Sequence, residues 1–382
     1  MLTKRVLSIV LNDLKNDNRV LNQAFSLASR NYEVTLLGIQ RVTTLSQIEV
    51  HESLIIQRIA LNDKLINRIR YLRGLCFLFY SWIKVLNVAK NQFEIVHCHD
   101  LNTLQFGVFI KLFLKRDIRL IYDAHEYETQ RNGLKGLKRI YVLLKEPFLI
   151  KFCDRLITVS DTIAEEYKRL YQIQKPAIVL NCPILKSDEL VKKDLFREIF
   201  NIRKDQRIFL YQGYLSPGRG IEVLLNSFGQ LNREDLVLVF MGEGTLENLI
   251  SNHPKFNSQI FCHPFVSGDT LLCFTSSANY GIAFIEDISL SDRYCLPNKL
   301  FEYIAAGLPV LGSGLPDLSK FIFENGIGVT AKSNDINGFI RAIDQLLEMN
   351  LDELHENILD TRTKYNWQTQ ERVLLDTYLQ LF

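Results

Sequence analysis

A carboxylate, Glu302, stands within an otherwise apolar helical pattern in the segment LPNKLFEYIAAGLPVL at residues 296–311. Pro297 suits the first position of a helix, whose leading backbone N–H groups lack helical partners and carry the positive end of the helix dipole. Asn298 and Lys299 add side-chain donors there, so we predict an anion-binding site. A buried carboxylate needs hydrogen-bond partners, and two sugar hydroxyls would supply them to Glu302. The alternative is that Glu302 interacts only with the helix dipole, a contribution of about 0.3–1 kcal/mol.

A glycine-rich turn occurs earlier in the same half of the chain, in YQGYLSPGRGIEVLL at residues 211–225. Gly213 and Gly218 allow the backbone to approach a ligand closely, and Arg219 offers a forked set of donors that suits a diphosphate. A plain turn with an exposed arginine would have nearly the same sequence. A second pattern of strand, Gly-x-Gly and helix surrounds Glu243, and by itself it is a weak indication of a ligand site.

Two histidines in the first half each end a predicted strand, His99 in FEIVHCH and His125 in RLIYDAH. Ligands of open parallel sheets bind beyond the carboxyl ends of the strands, so we expect both rings to face a ligand. Asp100 and Asp123 are placed to orient these rings. The alternative is a pair of core histidines whose polar atoms are satisfied by Asp100 or Glu126.

Short β-rich runs alternate with helix-like stretches along the chain, which predicts parallel sheets covered by helices on both faces. The strands are predicted at 5–11, 32–39, 93–99, 119–125, 155–160, 177–181, 207–213, 236–242, 260–265, 280–286, 309–314 and 327–332. Helices in the first half are predicted at 18–30, 66–90, 101–114, 136–150 and 161–171. The charged segment 186–207 interrupts the alternation, so the economical interpretation is two doubly wound α/β units in tandem.

The composition excludes several classes of protein. No run of about 18 uncharged apolar residues predicts a membrane span, and the start of the chain is typical of a first strand, not of a signal peptide. The seven cysteines include no C-x-x-C pair, which favours reduced cytosolic thiols. No GxGxxG, P-loop, D-x-D or zinc-spaced cluster is present, so the sequence supports neither a standard dinucleotide site nor a dedicated metal site.

The net charge of +2 conceals an asymmetry between +10 for residues 1–185 and −8 for residues 186–382. The basic excess is concentrated in 64–90, 111–119 and 131–155, where Lys and Arg alternate with large apolar residues. This mixture favours peripheral contact with an anionic membrane surface, and solvated basic helix faces are the alternative. Nucleic acid is not an expected partner, because the pI is moderate and no reading motif is present.

These residues carry a resemblance to retaining glycosyltransferases of family 4, which have the GT-B architecture. In the second half the resemblance lies in YQGYLSPGRGIEVLL, VFMGEG, HPFVSGDTLL, PNKLFEYIAAGLPVL and NWQTQERVLLDTYLQL. In the first half it is looser and lies in NDNRVLNQAFSLASRNYEVTLL, FEIVHCHD, LIYDAHE, DRLITVSDTI and VLNCP. Together these motifs cover nearly the whole chain.

The resemblance implies two Rossmann-like domains that face each other across a cleft. Residues 1–185 would bind the acceptor, residues 190–365 would bind the nucleotide-sugar donor, and a C-terminal helix at 366–382 would pack back on the first domain. A glutamate like Glu302 binds the ribose, a basic residue like Arg219 meets the diphosphate, and the backbone near Val266 reads the base.

The resemblance also implies roles for single residues on both sides of the reaction. The expected donor-binding residues are Gly213, Gly218, Arg219, Glu243, Val266, Asn298, Lys299, Leu300 and Glu302. The expected acceptor-side residues are Arg19, Asp100 and His125. The expected catalytic residues are His99, His125, Arg219 and Lys299.

Two departures from the family pattern concern the donor site. The family commonly carries a second glutamate eight positions before the residue that corresponds to Glu302, and here that position is Tyr294. Pro297 occurs where the common pattern has a glycine whose amide contacts phosphate. The LPNKLFEY variant is typical of a subgroup that makes bacterial surface polysaccharides, in which Asn298 and Lys299 would compensate for the missing amide.

The sequence thus predicts a cytosolic glycosyltransferase, associated with the inner face of the plasma membrane, that transfers a sugar from a nucleotide-diphosphate sugar to a saccharide or lipid-linked acceptor. Retention of anomeric configuration is expected, and no cofactor or metal is expected because Arg219, Lys299 and the helix amides would stabilise the leaving diphosphate. The alternatives are a sugar-nucleotide 2-epimerase and a non-catalytic partner in a glycan-synthesis complex. A NAD-dependent dehydrogenase is a weaker alternative, because neither half opens with a glycine fingerprint.

Overall fold

The structure, a computed structural model, describes residues 3–40, 45–60, 73–185, 192–266, 268–332 and 334–382. The chain divides into two compact units. Unit 1 consists of Met1–Leu180 with Glu371–Phe382, and unit 2 consists of Asn181–Gln370. Within the described ranges, every helix is too short or too polar to pass through a bilayer.

The sheet of unit 1 has eight strands among the described residues, in the order β3-β4-β2-β1-β5-β6-β7-β8. The strands are β1 Lys4–Ile9, β2 Tyr32–Gln40, β3 Ile48–His51, β4 Leu54–Ala60, β5 Ile95–His99, β6 Arg119–Asp123, β7 Arg155–Thr158 and β8 Ala177–Ile178. All neighbours pair in parallel except β3 and β4, which form an antiparallel hairpin. The hairpin is an addition to the sheet that the sequence pattern did not predict.

The helices of unit 1 lie between these strands, as the alternating pattern predicts. They are α1 Asn18–Ala28, α2 Arg73–Ala89, α3 Leu101–Phe109, α4 Gly136–Ile150 and α5 Asp161–Tyr171. Helix α3 continues as a π-helical turn over Ile110–Leu114. The predicted helix 66–90 begins outside the described residues, so the structure describes only its part from Arg73 onward.

Unit 2 contains a six-stranded parallel sheet in the order β11-β10-β9-β12-β13-β14. Its strands are β9 Arg207–Gln212, β10 Leu236–Met241, β11 Ile260–His263, β12 Tyr280–Ala283, β13 Val310–Gly312 and β14 Gly328–Thr330. Its helices are α6 Leu195–Phe200, α7 Ile221–Gln230, α8 Glu247–Ser251, α9 Leu271–Thr275, α10 Leu290–Arg293, α11 Asn298–Ala305, α12 Pro316–Glu324, α13 Ile336–Glu348 and α14 Leu351–Lys364. The central strands are buried on both faces, so they are continuous apolar runs in the sequence.

The last helix, α15 Trp367–Leu379, begins in unit 2 and ends in unit 1. At its start the Trp367 amide donates to the carbonyl of Pro183, 3.0 Å away. Near its end Tyr378 is fully buried in unit 1, where its hydroxyl lies 2.7 Å from Nδ1 of His97. The charged segment that separates the two sheets in the sequence is described only from residue 192 onward.

Candidate active site

The start of helix α11 in unit 2 holds Lys299, a lysine whose ammonium group is buried. Nζ of Lys299 is inaccessible to solvent and bonds to no other group among the described residues. It lies 3.5 Å from the centroid of the Tyr211 ring, so a cation–π contact is the interaction that the structure records for it. Burial lowers the pKa of Lys299 well below its usual range, the charge of Arg219 lowers it further, and Glu302 opposes both effects. An anion placed beside Nζ would remove the cost of this isolated cation.

Helix α11 begins one residue later than the sequence predicts. Pro297 has extended backbone angles and is the residue before the helix, so Asn298 occupies the first helical position. The prediction for Pro297 was wrong by one position, because a proline is equally acceptable in the extended residue that precedes a helix. No side chain among the described residues caps this end of α11, and the Leu300 amide donates to the Pro297 carbonyl at 3.0 Å, so the amides before Leu300 are the ones available to a ligand.

The glycine-rich turn after β9 lies against this lysine. Gly213 has φ 127°, which favours glycine, and a Cβ atom at this position would lie 3.5 Å from Nζ of Lys299. Gly218 and Arg219 follow in the same turn, with Arg219 exposed to solvent. The turn is held by Glu286, whose Oε1 accepts from the Gly220 amide at 3.0 Å. The turn therefore places the charge of Arg219 and an open stretch of backbone near Nζ of Lys299.

Glu302 lies one helical turn after Lys299 and is less buried than the apolar residues around it in α11. Its neighbours Leu300 and Tyr303 are fully buried, whereas Glu302 is half-buried. Its Oε2 accepts a hydrogen bond from Nε2 of Gln212. Burial raises the pKa of Glu302, and the hydrogen bond from Gln212 and the charge of Lys299 oppose that rise. The Glu302 carboxylate is therefore a hydrogen-bond acceptor in a fixed position beside the ammonium group of Lys299. This arrangement suits a ligand that carries both hydroxyl groups and a negative charge.

Gln212, which the sequence analysis did not select, links the two parts of this group. It ends β9 directly before Gly213, and its Oε1 accepts from Oγ1 of Thr275 at 2.9 Å, which leaves Nε2 directed at Glu302. The sequence pattern also did not lead us to select Glu286, which follows the end of β12 much as Gln212 lies at the end of β9. Both residues are single polar groups at the carboxyl end of a strand, which was the signal available in the sequence.

The structure records other surroundings for the remaining predicted donor residues. Glu243 is exposed after β10, and its carbonyl accepts from the Leu215 amide at 2.9 Å. Val266 is buried to 9% exposure, and Leu300 belongs to the core of the helix. Asn298 is exposed, and its Oδ1 accepts from Asn181 at 2.8 Å. The structure brings together Gly213, Arg219, Lys299 and Glu302, and it records no direct contact of Glu243 or Val266 with them among the described residues.

In unit 1, the predicted acceptor-side residues converge on Asp123 at the end of β6. Asp123 is fully buried, and Arg19 binds it through Nε at 3.0 Å and Nη2 at 2.6 Å. Gln23 adds a third donor at 2.8 Å. Burial raises the pKa of Asp123, but the charges of Arg19 and His125 outweigh burial and hold this pKa well below its usual range. Asp123 is thus a buried carboxylate around which the polar groups of this region are arranged.

His99 is enclosed by the sheet, whereas we expected its ring to face a ligand. It is only 1% exposed, with Nε2 lying 3.0 Å from Ser8 Oγ and Nδ1 lying 3.3 Å from Asp123 Oδ2. The ring is enclosed because His99 still belongs to β5, which is flanked by β1 and β6, and this burial agrees with the alternative of a core histidine. His97 stacks on His99 with ring centroids 4.4 Å apart, and burial lowers the pKa of both rings.

His125 lies two residues beyond β6, and its side chain keeps 19% exposure. Its Nε2 is 3.4 Å from Asp123 Oδ2 and 3.1 Å from Nδ1 of His99, and its Nδ1 is 3.6 Å from Asp100 Oδ1. Burial lowers the pKa of His125, but the carboxylates of Asp100 and Asp123 outweigh burial and raise this pKa to about 9. His125 is therefore an imidazolium near neutral pH, and it offers a cation at the surface of unit 1.

His97, His99 and Asp123 place one potential ligand atom each within 4.8 Å of one another. The donor set nevertheless does not suit a divalent cation. Both carboxylate oxygens of Asp123 already accept from Arg19, and the guanidinium charge would repel a metal ion at this place. We therefore regard this group as a hydrogen-bonded support for His125.

Comparisons with known proteins match both halves of the chain. Residues 17–184 match the model of the family described as Glycosyltransferase Family 4, and residues 192–364 match that of Glycosyl transferases group 1. The chain is 24% identical over 313 residues to an uncharacterized glycosyltransferase of Methanocaldococcus jannaschii, which covers 76% of each chain. It is 22% identical over 305 residues to the lipopolysaccharide 1,2-N-acetylglucosaminetransferase of Salmonella typhimurium, which covers 76% of this chain and 77% of the relative.

Solved structures share the fold over nearly the full length. Sucrose-phosphate synthase of Thermosynechococcus elongatus superposes with a TM-score of 0.78 at 16% identity, with 99% of each chain covered. The Anabaena protein Alr3699/HepE, solved in complex with UDP and glucose, gives a TM-score of 0.73 at 11% identity, with 99% of this chain and 100% of that chain covered. At these identities the likeness concerns the fold alone.

Proposed function

This chain is a glycosyltransferase enzyme with the two-domain GT-B fold, and we propose that its donor is a nucleoside-diphosphate sugar bound by unit 2. The observation that carries the proposal is the buried Nζ of Lys299, which has no hydrogen-bond partner among the described residues and ends beside the glycine-rich turn and the start of α11. A diphosphate has the charge and the acceptor atoms that these groups lack. The neighbour solved with UDP and glucose supports this class of ligand.

We assign the diphosphate to Lys299, Arg219 and the leading amides of α11. As the bond between the anomeric carbon and the diphosphate oxygen breaks, negative charge grows on the leaving phosphate. The two cations and the helix dipole stabilise that charge without reorganisation, which is the main way such a site lowers a barrier. In this proposal these groups neutralise the diphosphate, so it includes no required metal or cofactor.

We assign the ribose of the donor to Glu302. A carboxylate can accept from two neighbouring hydroxyl groups, and each such charge-assisted bond contributes about 1.5–3 kcal/mol. Gln212 holds the carboxylate, which lies one helical turn from Lys299, so ribose and diphosphate would be bound together. The base is read by backbone near Val266 in this proposal. The Tyr294 position then lies near the sugar, where it replaces a more common carboxylate.

The acceptor is a saccharide or a lipid-linked saccharide, bound by unit 1 near His125. The imidazolium of His125 would donate a hydrogen bond to an acceptor oxygen, while Asp123 and His99 orient its ring. We propose transfer with retention, in which the acceptor oxygen bonds to the anomeric carbon on the face that the diphosphate leaves. The acceptor proton passes to the departing phosphate oxygen, so no separate carboxylate pair is needed.

The biological role that we propose is cytoplasmic synthesis of a cell-surface polysaccharide or lipopolysaccharide. The Salmonella typhimurium relative, a lipopolysaccharide 1,2-N-acetylglucosaminetransferase, supports this role. The comparisons favour neither the epimerase nor the non-catalytic alternative, since both family models describe glycosyltransferases.

Thermal unfolding with UDP, GDP, CDP or ADP tests the donor proposal. A ligand at about 100 times its dissociation constant should stabilise the protein by about 2.7 kcal/mol. One nucleotide should raise the Tm of the wild type, and Glu302→Gln should abolish that shift. Glu324→Gln, at an exposed position of α12 in the same unit, is the matched control and should keep it. If no nucleotide raises the Tm, or if Glu302→Gln responds like the wild type, the proposed donor site is wrong.

A further inference from the structure

Helix α4 of unit 1 turns an apolar stripe toward solvent, which is the reverse of the usual arrangement. The stripe follows the helical spacing i, i+3, i+4, i+7 and i+11, and its side chains are between 54% and 85% exposed. Its members are Leu137, Ile140, Tyr141, Leu144 and Phe148. Single exposed apolar residues are ordinary, but a continuous exposed stripe marks an interaction surface. We call these five residues the α4 stripe.

The opposite face of α4 is firmly attached to unit 1. Leu149 and Ile150 are buried there, and Glu146 is fully buried between them and the sheet. Three tyrosine hydroxyls donate to the Glu146 carboxylate, from Tyr122 at 2.8 Å, Tyr167 at 2.8 Å and Tyr171 at 2.7 Å. Rotating the helix to bury the stripe would break all three hydrogen bonds and leave a buried carboxylate without partners. The orientation of the stripe is therefore set by the fold of unit 1.

The segment of the chain that carries the stripe is strongly basic. Between residues 131 and 151 the chain carries six basic residues, and Glu146 is the single acid. On the helix, Lys138 and Lys145 border the stripe on one side, and Lys145 Nζ lies 5.3 Å from the ring of Tyr141. An apolar stripe bordered by lysines is the pattern of a helix that lies in the interface of an anionic membrane.

We propose that α4 is an interfacial helix, which places the α4 stripe at the acyl boundary of a membrane and its lysines among anionic headgroups. A second copy of the chain is a poorer occupant, because a two-fold contact would bring the same basic borders together. This inference rests on the proposed function in one respect, since the helix would serve to bring a lipid-linked acceptor to the surface of unit 1. Tyr122 of β6 holds Glu146 directly before Asp123, so the membrane-facing helix and the support of His125 share one strand.

Co-sedimentation of the full chain with vesicles tests this proposal. Vesicles of phosphatidylglycerol and phosphatidylcholine should bind the wild type at low salt, whereas pure phosphatidylcholine should bind it at least tenfold more weakly. Raising the salt should weaken the binding, since screening acts on the lysine–headgroup attraction. The double variant Leu137→Glu/Leu144→Glu should lose at least tenfold in affinity for the anionic vesicles.

The matched control is Phe323→Glu, because Phe323 is as exposed as Leu137 but belongs to α12 of unit 2. It should bind vesicles like the wild type. Unchanged binding by the double variant would overturn the proposal, and so would a dimer in analytical ultracentrifugation that the double variant converts to monomer. Nucleotide-induced Tm shifts measured on the same proteins separate the two proposals. Loss of vesicle binding with intact Tm shifts would leave the proposed donor site unaffected. Loss of the Tm shifts with intact vesicle binding would leave the proposed interfacial helix unaffected.

Discussion

The Nε2 atom of His125 lies 3.4 Å from Oδ2 of Asp123, and this pair connects the surface of unit 1 to its buried charge network. Asp123 stays ionised because Arg19 binds both of its oxygens. The carboxylates of Asp100 and Asp123 in turn raise the pKa of His125 to about 9 and keep it protonated near neutral pH, so a half-buried and a fully buried carboxylate together set the charge of this ring. The relationship explains why Asp123, a fully buried carboxylate at the end of β6, is tolerated there.

The stability of unit 1 should depend on pH through His125. The pKa of this ring is about 9 in the folded protein and about 6.5 in an unfolded chain. Its contribution is therefore complete below about pH 6.5 and is lost as the pH rises through about 9, with a total of about 3 kcal/mol. Urea unfolding between pH 6 and pH 9.5 should give a steeper loss of stability for the wild type than for His125→Gln.

His355→Gln is the control for this experiment, since His355 is exposed on α14 of unit 2. The stability of His355→Gln should depend on pH as that of the wild type does, because this variant leaves His125 and every other group that titrates near pH 9 unchanged. Equal slopes for the wild type and His125→Gln would mean that Asp100 and Asp123 do not raise the pKa of the ring.

Asp100 adopts a backbone conformation that is rarely open to residues with a side chain. Its φ of 64° and ψ of 160° lie in a region that glycine occupies almost alone, at a cost of about 1–3 kcal/mol for other residues. Its side chain does not cap α3, so its visible role is the charge 3.6 Å from His125. We expect Asp100→Gly to be more stable than Asp100→Asn by about 1 kcal/mol, while both lose transfer activity.

The comparison of the two variants separates strain from charge. Both remove the carboxylate, but only the glycine also relieves the backbone, so the difference in their unfolding free energies measures the strain. Equal stability of the two variants, measured by urea denaturation, would show that the backbone at this position is not strained.

The strands of both units were predicted from the sequence to within a few residues because buried parallel strands are continuous apolar runs. The β3–β4 hairpin was missed for a physical reason: β3 has the sequence IEVH, is short and largely exposed, and carries no long apolar run. Its turn passes through Glu52 at φ 42°, which is not one of the residues that usually mark a hairpin. Edge strands of this kind are stabilised by their neighbour, which a single sequence does not reveal.

The candidate site was predictable where one segment carries several functional residues, and less so where partners come from distant segments. Lys299 and Glu302 lie on one helical turn, so their spacing alone places them together. Gln212 is separated from Glu302 by 90 positions, and nothing in its neighbourhood indicates that contact. The enclosure of His99 depends likewise on Ser8, 91 positions away. Such pairings follow from sheet order, which the sequence pattern did not determine.

Lys299→Met should make unit 2 more stable and bind its nucleotide less tightly. The buried Nζ has no hydrogen-bond partner among the described residues, so replacing the ammonium by an apolar group of similar length removes a desolvation cost of about 1–3 kcal/mol. The same change removes a charge-assisted contact to the diphosphate, which corresponds to a loss of about tenfold to a hundredfold in affinity. A variant that gains stability and loses function is expected where a site keeps a charge that is unfavourable until the ligand binds.

Lys320→Met, at an exposed position of α12, is the control and should change neither quantity. Urea denaturation without ligand and isothermal titration with the nucleotide that raises the wild-type Tm provide the two measurements. If Lys299→Met is less stable than the wild type, the ammonium group has a stabilising partner in the free protein, and its desolvation does not lower the free energy of unfolding. If its stability rises but its affinity is unchanged, the lysine is buried for another reason, and Arg219 with the α11 amides must bind the diphosphate without it.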